Sequence, residues 1–163
     1  MEPTQPKGKW RGRLIRYAPL FLWTGVILTL STGAGSINRT SLIVGPLLNF
    51  LFPAASAETI LFYHSLVRKA AHVFEYGVLA LLALWAFRPS HLPLLSNRPY
   101  IAAITFIGVI AVVDEFQQSF DPSRTGTVYD VGLDLLGGAL ALTIAWILYR
   151  RRPQVPPGGP TYP

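Results

Sequence analysis

Long apolar runs separated by short polar segments make up most of the chain, and four of them are long enough to be membrane helices. They cover about residues 17–32, 67–87, 100–120 and 128–149. A helix needs about 20 mainly apolar residues to cross the hydrocarbon core of a bilayer, which is about 30 Å thick. The pattern therefore predicts an all-α integral membrane protein that folds as a four-helix bundle.

A shorter apolar stretch lies between the first and second predicted spans. It covers residues 42–52 and contains Pro46. This stretch is too short to cross a bilayer, and a proline removes a helical hydrogen bond. We therefore predict an interfacial or re-entrant segment between spans one and two.

The composition agrees with a membrane protein and argues against nucleic-acid binding. Of the 163 residues, 51% are hydrophobic and only 13% are charged, whereas a soluble domain has about 25% charged residues. The net charge is +6, but the basic residues flank apolar runs without interleaved aromatic residues, as is typical of membrane borders. The predicted partner is the lipid bilayer and not nucleic acid. The absence of cysteine excludes disulfides and thiolate metal sites.

The distribution of basic residues predicts the orientation of the chain. A basic tail over residues 1–16 precedes the predicted membrane domain, residues 17–149, and a basic tail rich in proline and glycine follows over residues 150–163. Four spans put both termini on one side, which then holds ten basic residues against four on the other. The positive-inside rule places both termini in the cytoplasm, and we expect the bacterial cytoplasmic membrane.

The first span also resembles a signal peptide, because a basic start and an apolar core precede the small residues 33–36. The apolar run is long for the core of a signal peptide. We therefore expect a retained membrane helix.

The ionisable residues of the predicted spans all fall in the outer half of the membrane. Span two contains Arg68, Lys69, His72 and Glu75. Span three ends with Asp114 and Glu115, and the polar residue Gln118 follows one turn later. Arg124 lies in the next loop, and Asp130 and Asp134 lie at the start of span four. The inner segments 79–87 and 139–148 contain no ionisable residue. Because such residues are costly in a membrane and mark functional sites, the sequence predicts a polar pocket at this depth.

The pocket has more negative than positive side chains, with five carboxylates against three cationic groups. Low dielectric makes uncompensated charge expensive, so a proton or a bound cation is expected. The candidates for proton transfer are His72, Glu75, Asp114 and Glu115; those for ligand binding are Arg68, Lys69, Gln118, Arg124, Asp130 and Asp134. One histidine with several carboxylates also suits a divalent cation, with Mg, Mn or Ca favoured over zinc.

Two other interpretations need no ligand. The charged residues can form a structural salt-bridge network that orders the bundle, with Asp130 stabilising the first turn of its helix. Gly137-Gly138 predicts close helix packing rather than phosphate binding.

Three motifs in order carry a family resemblance: Arg68-Lys69-x-x-His72-x-x-Glu75-Tyr76, Asp114-Glu115-x-x-Gln118, and Arg124 followed by Asp130-Val131. Together they resemble the VanZ-like family of small membrane proteins over about residues 60–140. The family is named for an accessory protein of resistance to the glycopeptide teicoplanin. The resemblance implies that the characteristic positions are Lys69, His72, Glu75, Asp114, Glu115, Gln118, Arg124 and Asp130. Asp134 departs from it, since an asparagine is expected there.

Two functions remain open from the sequence. In the first, the pocket binds or modifies an envelope lipid, glycan or glycopeptide headgroup. In the second, the protein is a structural or accessory subunit of a larger membrane complex and has no enzymatic activity. Ion transport is less favoured, because the polar residues do not continue into the inner half.

Overall fold

The computed structural model describes residues 8–31, 37–120 and 128–151, which are almost entirely helical. The helices are α1 (Gly8–Ser31), α2 (Ile37–Leu51), α3 (Ala57–Phe87), α4 (Pro93–Ser96), α5 (Pro99–Gln118) and α6 (Val128–Arg150). Four of them, α1, α3, α5 and α6, are long and apolar enough to cross a membrane. This confirms the predicted all-α fold with four candidate spans. Arg124 lies outside the described residues.

Helix α3 is at the centre of the bundle, in contact with α1, α2, α5 and α6. Its 31 residues extend about 46 Å at 1.5 Å per residue, more than a bilayer core requires. It begins at Ala57 because Ser56 caps it: the Ser56 hydroxyl accepts a hydrogen bond from the Thr59 amide at 3.2 Å. Helix α3 therefore begins ten residues before the predicted start of span two at residue 67, and those ten residues include Glu58 and His64. Both belong to α3, and His64 is buried.

Helix α2 includes the stretch that was predicted to be interfacial or re-entrant. It has 15 residues, with Pro46 inside it. At about 1.5 Å per residue, this length falls short of a bilayer core. Among the described side chains of α2, Leu48 is buried, whereas Leu47, Phe50 and Leu51 are exposed.

Glycines let the backbones of α3 and α6 approach closely. A Cβ atom added to Gly137 would meet the backbone of Val73, with the Cα atom of Val73 at 2.8 Å. A Cβ on Gly138 would lie 2.9 Å from Cδ1 of Ile107 on α5. Small residues are the usual means of close packing between membrane helices. Gly137 thus determines how near α6 lies to α3, and Gly138 how near it lies to α5.

The two ends of the bundle differ in character. At one end, which we term the loop end, Arg16 donates a hydrogen bond to the Pro89 carbonyl oxygen at 2.7 Å, and the Arg88 guanidinium donates to the Tyr100 hydroxyl at 2.9 Å. The guanidinium carbon of Arg88 also lies 4.0 Å from the ring centroid of Tyr149. These contacts connect α1, α5 and α6 to the segment after α3. The other end, which we term the polar end, contains the last turn of α1, the first half of α3, the last turns of α5 and the start of α6.

Between these ends the core is apolar and small residues are frequent. Ala103, Ile107 and Ala111 follow one another at four-residue spacing on α5 and are fully buried in the core. Large apolar side chains such as Val109 and Ile144 point outward and are exposed. An apolar outer surface is what a lipid-facing helix requires.

Candidate functional site

The polar end begins with a contact between α3 and α6. Nδ1 of His72 lies 3.1 Å from Oδ1 of Asp134, although the two residues are 62 positions apart. The Asp134 side chain is 3% exposed and that of His72 is 17% exposed. This hydrogen bond fixes the imidazole from one side.

Asp114 is the most enclosed carboxylate of the group. It is 1% exposed. Its Oδ2 atom accepts hydrogen bonds from the Tyr76 hydroxyl at 3.1 Å and from Nε2 of Gln118 at 3.3 Å. Its Oδ1 atom is buried and has no hydrogen-bond partner among the described residues. Buried polar atoms are nearly always hydrogen-bonded, so this oxygen needs an explanation.

Gln118 connects three helices at the same level. Its Oε1 atom accepts a hydrogen bond from the Arg68 guanidinium at 3.3 Å, and its Nε2 atom lies 3.5 Å from the Ser31 hydroxyl oxygen. Among the described residues, no carboxylate forms an ion pair with Arg68. The positive charge of Arg68 is therefore held beside an amide and not beside Asp114.

Glu75 and Glu115 complete the carboxylates that face this region. The Glu75 side chain is half-buried and close enough to His72, Asp114 and Asp134 to interact with them electrostatically. Glu115 is partly exposed, but its Oε1 atom is buried and lacks a partner within the described part of the chain. The group is thus rich in acceptors and poor in donors.

The remaining predicted site residues within the described ranges are Lys69 and Asp130. Lys69 is exposed, as expected for a side chain that reaches toward lipid headgroups. Asp130 is half-buried in the first turn of α6. Arg124 was predicted to join the pocket, and the described residues leave its place untested.

Three side chains of the group could hold a metal ion. His72, Asp114 and Asp134 each offer one ligating atom, and these atoms all lie within 4.8 Å of one another. They come from three different helices, α3, α5 and α6. The fold therefore converges on this point from three directions.

Three residues of the region were absent from the predicted site. Tyr76 is fully buried, with 0% solvent exposure. His64 is buried, and its Nε2 atom has no partner in the described ranges. A spacing of four residues relates His64, Arg68, His72 and Tyr76, so helical periodicity could have found both. Ser31 had no comparable signal, because its role depends on how α1 packs.

Fold and site together define a multi-pass helical membrane protein with a buried polar cluster at one end of the bundle. The profile of the VanZ/LLP1 family matches residues 17–149. The chain therefore belongs to the VanZ/LLP1 family, as the three motifs indicated. Comparisons with curated proteins and with solved structures gave no match.

Proposed function

We propose that the polar end binds the headgroup of an envelope molecule, a lipid, glycan or glycopeptide with hydroxyl or anionic groups. One observation carries the proposal. Two buried carboxylate oxygens, Oδ1 of Asp114 and Oε1 of Glu115, have no donor among the described residues. A buried acceptor without a donor costs about 1–3 kcal/mol. A hydroxylated headgroup would supply the missing donors.

The basic residues suit the anionic part of such a headgroup. Arg68 has five N–H donors, and the bond to Gln118 uses one of them. A guanidinium binds phosphate or carboxylate through paired hydrogen bonds. Lys69 lies exposed beside it, and Arg124 is proposed as a further contact from the loop after α5. Asp130 and Asp134 are proposed as acceptors for hydroxyl groups.

If the headgroup is modified as well as bound, four residues are proposed to move the proton: His72, Glu75, Asp114 and Glu115. His72 suits this role because Asp134 fixes its ring through Nδ1. An imidazole held in this way is the commonest general acid or base in proteins.

We propose that the polar end faces the outside of a bacterial cytoplasmic membrane. The support is the excess of basic residues on the side of both termini, ten against four. The polar end would then lie at the outer leaflet, where envelope headgroups are found.

Lipid retention by the purified full-length protein tests the proposal. Wild type in detergent is mixed with a glucosyl diacylglycerol, phosphatidylglycerol or phosphatidylcholine, and bound lipid is measured by native mass spectrometry. We expect the sugar lipid and the anionic lipid to be retained in preference to phosphatidylcholine. Glu115→Ala should reduce retention of the sugar lipid, and Arg68→Ala that of the anionic lipid. Glu58→Ala, an exposed carboxylate on the same helix as Arg68, is the matched control. Equal retention of all three lipids by wild type would refute the proposal.

The alternative proposal is a structural or accessory subunit of a membrane complex. It is supported by the hydrogen bonds from Tyr76 to Asp114 and from Gln118 toward Ser31, which connect α1, α3 and α5. In that case the polar cluster only orders the bundle. A stoichiometric partner that co-purifies with the tagged protein, together with unselective lipid retention, would favour it.

A further inference from the structure

We propose that His72, Asp114 and Asp134 form a binding site for one divalent cation. The inference deepens the proposed function and rests on the same pocket, since an ion held there would contact an anionic headgroup. It can nevertheless be tested alone, because an ion can be titrated without any headgroup present.

The geometry matches a coordination site. Neighbouring ligands of an ion with bonds of about 2.0–2.2 Å lie about 3 Å apart. The Nδ1 atom of His72 and the Oδ1 atom of Asp134 are 3.1 Å apart. One ligating atom from each of the three residues lies within 4.8 Å of the other two. An ion would need only small inward movements of the side chains.

The unpartnered oxygen of Asp114 is an independent observation that points to a ligand. The residue is 1% exposed, and Oδ2 is occupied by the hydrogen bonds from Tyr76 and Gln118. Those two bonds orient the carboxylate and leave Oδ1 as the atom without a partner in the described structure. Hydrogen bonds of this kind normally support a metal-ligating carboxylate.

The charges of the cluster favour a bound cation over an ion pair between His72 and Asp134 alone. Of the two carboxylates, Asp134 has a partner, because it bonds to His72. Among the described residues, Asp114 has no counterion, because the guanidinium of Arg68 is bonded to Gln118 instead. A buried charge without a partner is strongly unfavourable. A divalent ion between the two carboxylates would neutralise both.

One imidazole and two carboxylates narrow the choice of ion. Calcium prefers six to eight oxygen ligands, whereas an imidazole nitrogen suits transition metals. Carboxylates with one imidazole are most compatible with Mn²⁺, and zinc is the closest competitor. Three protein ligands would leave coordination positions open toward Glu115 and a headgroup.

Titration of the full-length protein with Mn²⁺ tests the site. Protein in detergent is treated with EDTA, freed of chelator, and titrated while electron paramagnetic resonance measures free Mn²⁺. We expect about one ion per chain, with Zn²⁺ competing. His72→Ala and Asp134→Asn should each weaken binding by about ten-fold or more, and Tyr76→Phe by about 10-fold to 100-fold. His91→Ala and Glu58→Gln, both exposed, are controls for histidine and carboxylate loss and should bind as wild type does.

Thermal unfolding separates loss of the site from loss of the fold. Mn²⁺ should raise the Tm of wild type and of both controls, because it binds only the folded state. The rise should be clearly smaller for Asp134→Asn, although this variant keeps an oxygen that can accept a hydrogen bond from His72. The proposal is overturned if wild type shows neither saturable binding nor a Tm shift, or if Asp134→Asn retains the wild-type affinity. Lipid retention measured in EDTA, where no divalent ion is bound, tests the headgroup proposal separately.

Discussion

His72 on α3 and Asp134 on α6 lie 3.1 Å apart and form the polar contact between the two helices that pack most closely in the bundle. The contact comes one turn before Gly137, where the α6 backbone meets that of Val73. Close packing and a buried hydrogen bond are therefore combined in one region.

The first prediction concerns the two partners of this bond. His72→Ala leaves Asp134 buried without its partner, and such losses cost about 3–5 kcal/mol of unfolding free energy. Asp134→Asn keeps a hydrogen-bond acceptor, so we expect a smaller loss. Adding Asp134→Ala to His72→Ala should cost less than the two single changes together, as measured by unfolding in detergent. Strict additivity would mean that the contact contributes nothing to stability.

The second prediction concerns the hydroxyl of Tyr76. Tyr76→Phe removes a donor from the buried Oδ2 atom of Asp114, and the loss of one partner of a buried hydrogen bond costs about 1–3 kcal/mol. The Tm in detergent should fall accordingly. Tyr129→Phe is the matched control, because Tyr129 is exposed at the start of α6. A Tm for Tyr76→Phe equal to that of the control would argue against the buried network.

The third prediction uses two glycines of α6. Gly137→Ala forces α6 away from Val73, and such overpacking costs about 1–3 kcal/mol. It should also weaken Mn²⁺ binding, because His72 and Asp134 move apart. Gly132→Ala is the matched control: its Cβ would meet nothing within 4 Å, and alanine is the better helix former by about 1 kcal/mol. We expect Gly137→Ala to lower the Tm and Gly132→Ala to raise it. Equal effects would show that close packing against Val73 does not require a glycine at position 137.

The fourth prediction concerns orientation. The chain has no cysteine, so single cysteines can be introduced and labelled in intact cells with a membrane-impermeant maleimide. We expect Tyr129→Cys, at the polar end, to react. Leu94→Cys, which is exposed in α4 at the loop end, should react only after the cells are opened. The reverse pattern would place the polar end in the cytoplasm and remove the pocket from the outer leaflet.

Hydrophobic length alone was enough to predict the four long helices and the all-α fold. The beginning of α3 at Ala57 was missed, because the polar residues before residue 67 resemble a surface segment and the cap at Ser56 was not recognised. Helical spacing grouped Arg68, His72 and Glu75 correctly on one helix. It could not predict that Asp134 bonds to His72, since that depends on the register between α3 and α6.

Other parts of the site also depend on tertiary packing. Gln118, which is predicted to bind a ligand, also bonds to Arg68 and lies near Ser31, a residue of α1 that carries no motif. The exposure of Lys69 and the burial of Asp114 likewise follow from which helix faces meet. Periodicity places residues on a face of a helix but leaves open what that face contacts.

We propose that a headgroup donates hydrogen bonds to Oδ1 of Asp114 and Oε1 of Glu115, the buried carboxylate oxygens that lack a partner in the described part of the chain. An experimental structure of the protein in bilayer discs that contain glucosyl diacylglycerol tests it most directly. We expect density for a sugar ring with a hydroxyl within hydrogen-bond distance of Oε1 of Glu115, or of Oδ1 of Asp114 when no ion is bound there. Sugar headgroups found only at the lipid-facing surface, with none at these two oxygens, would contradict it.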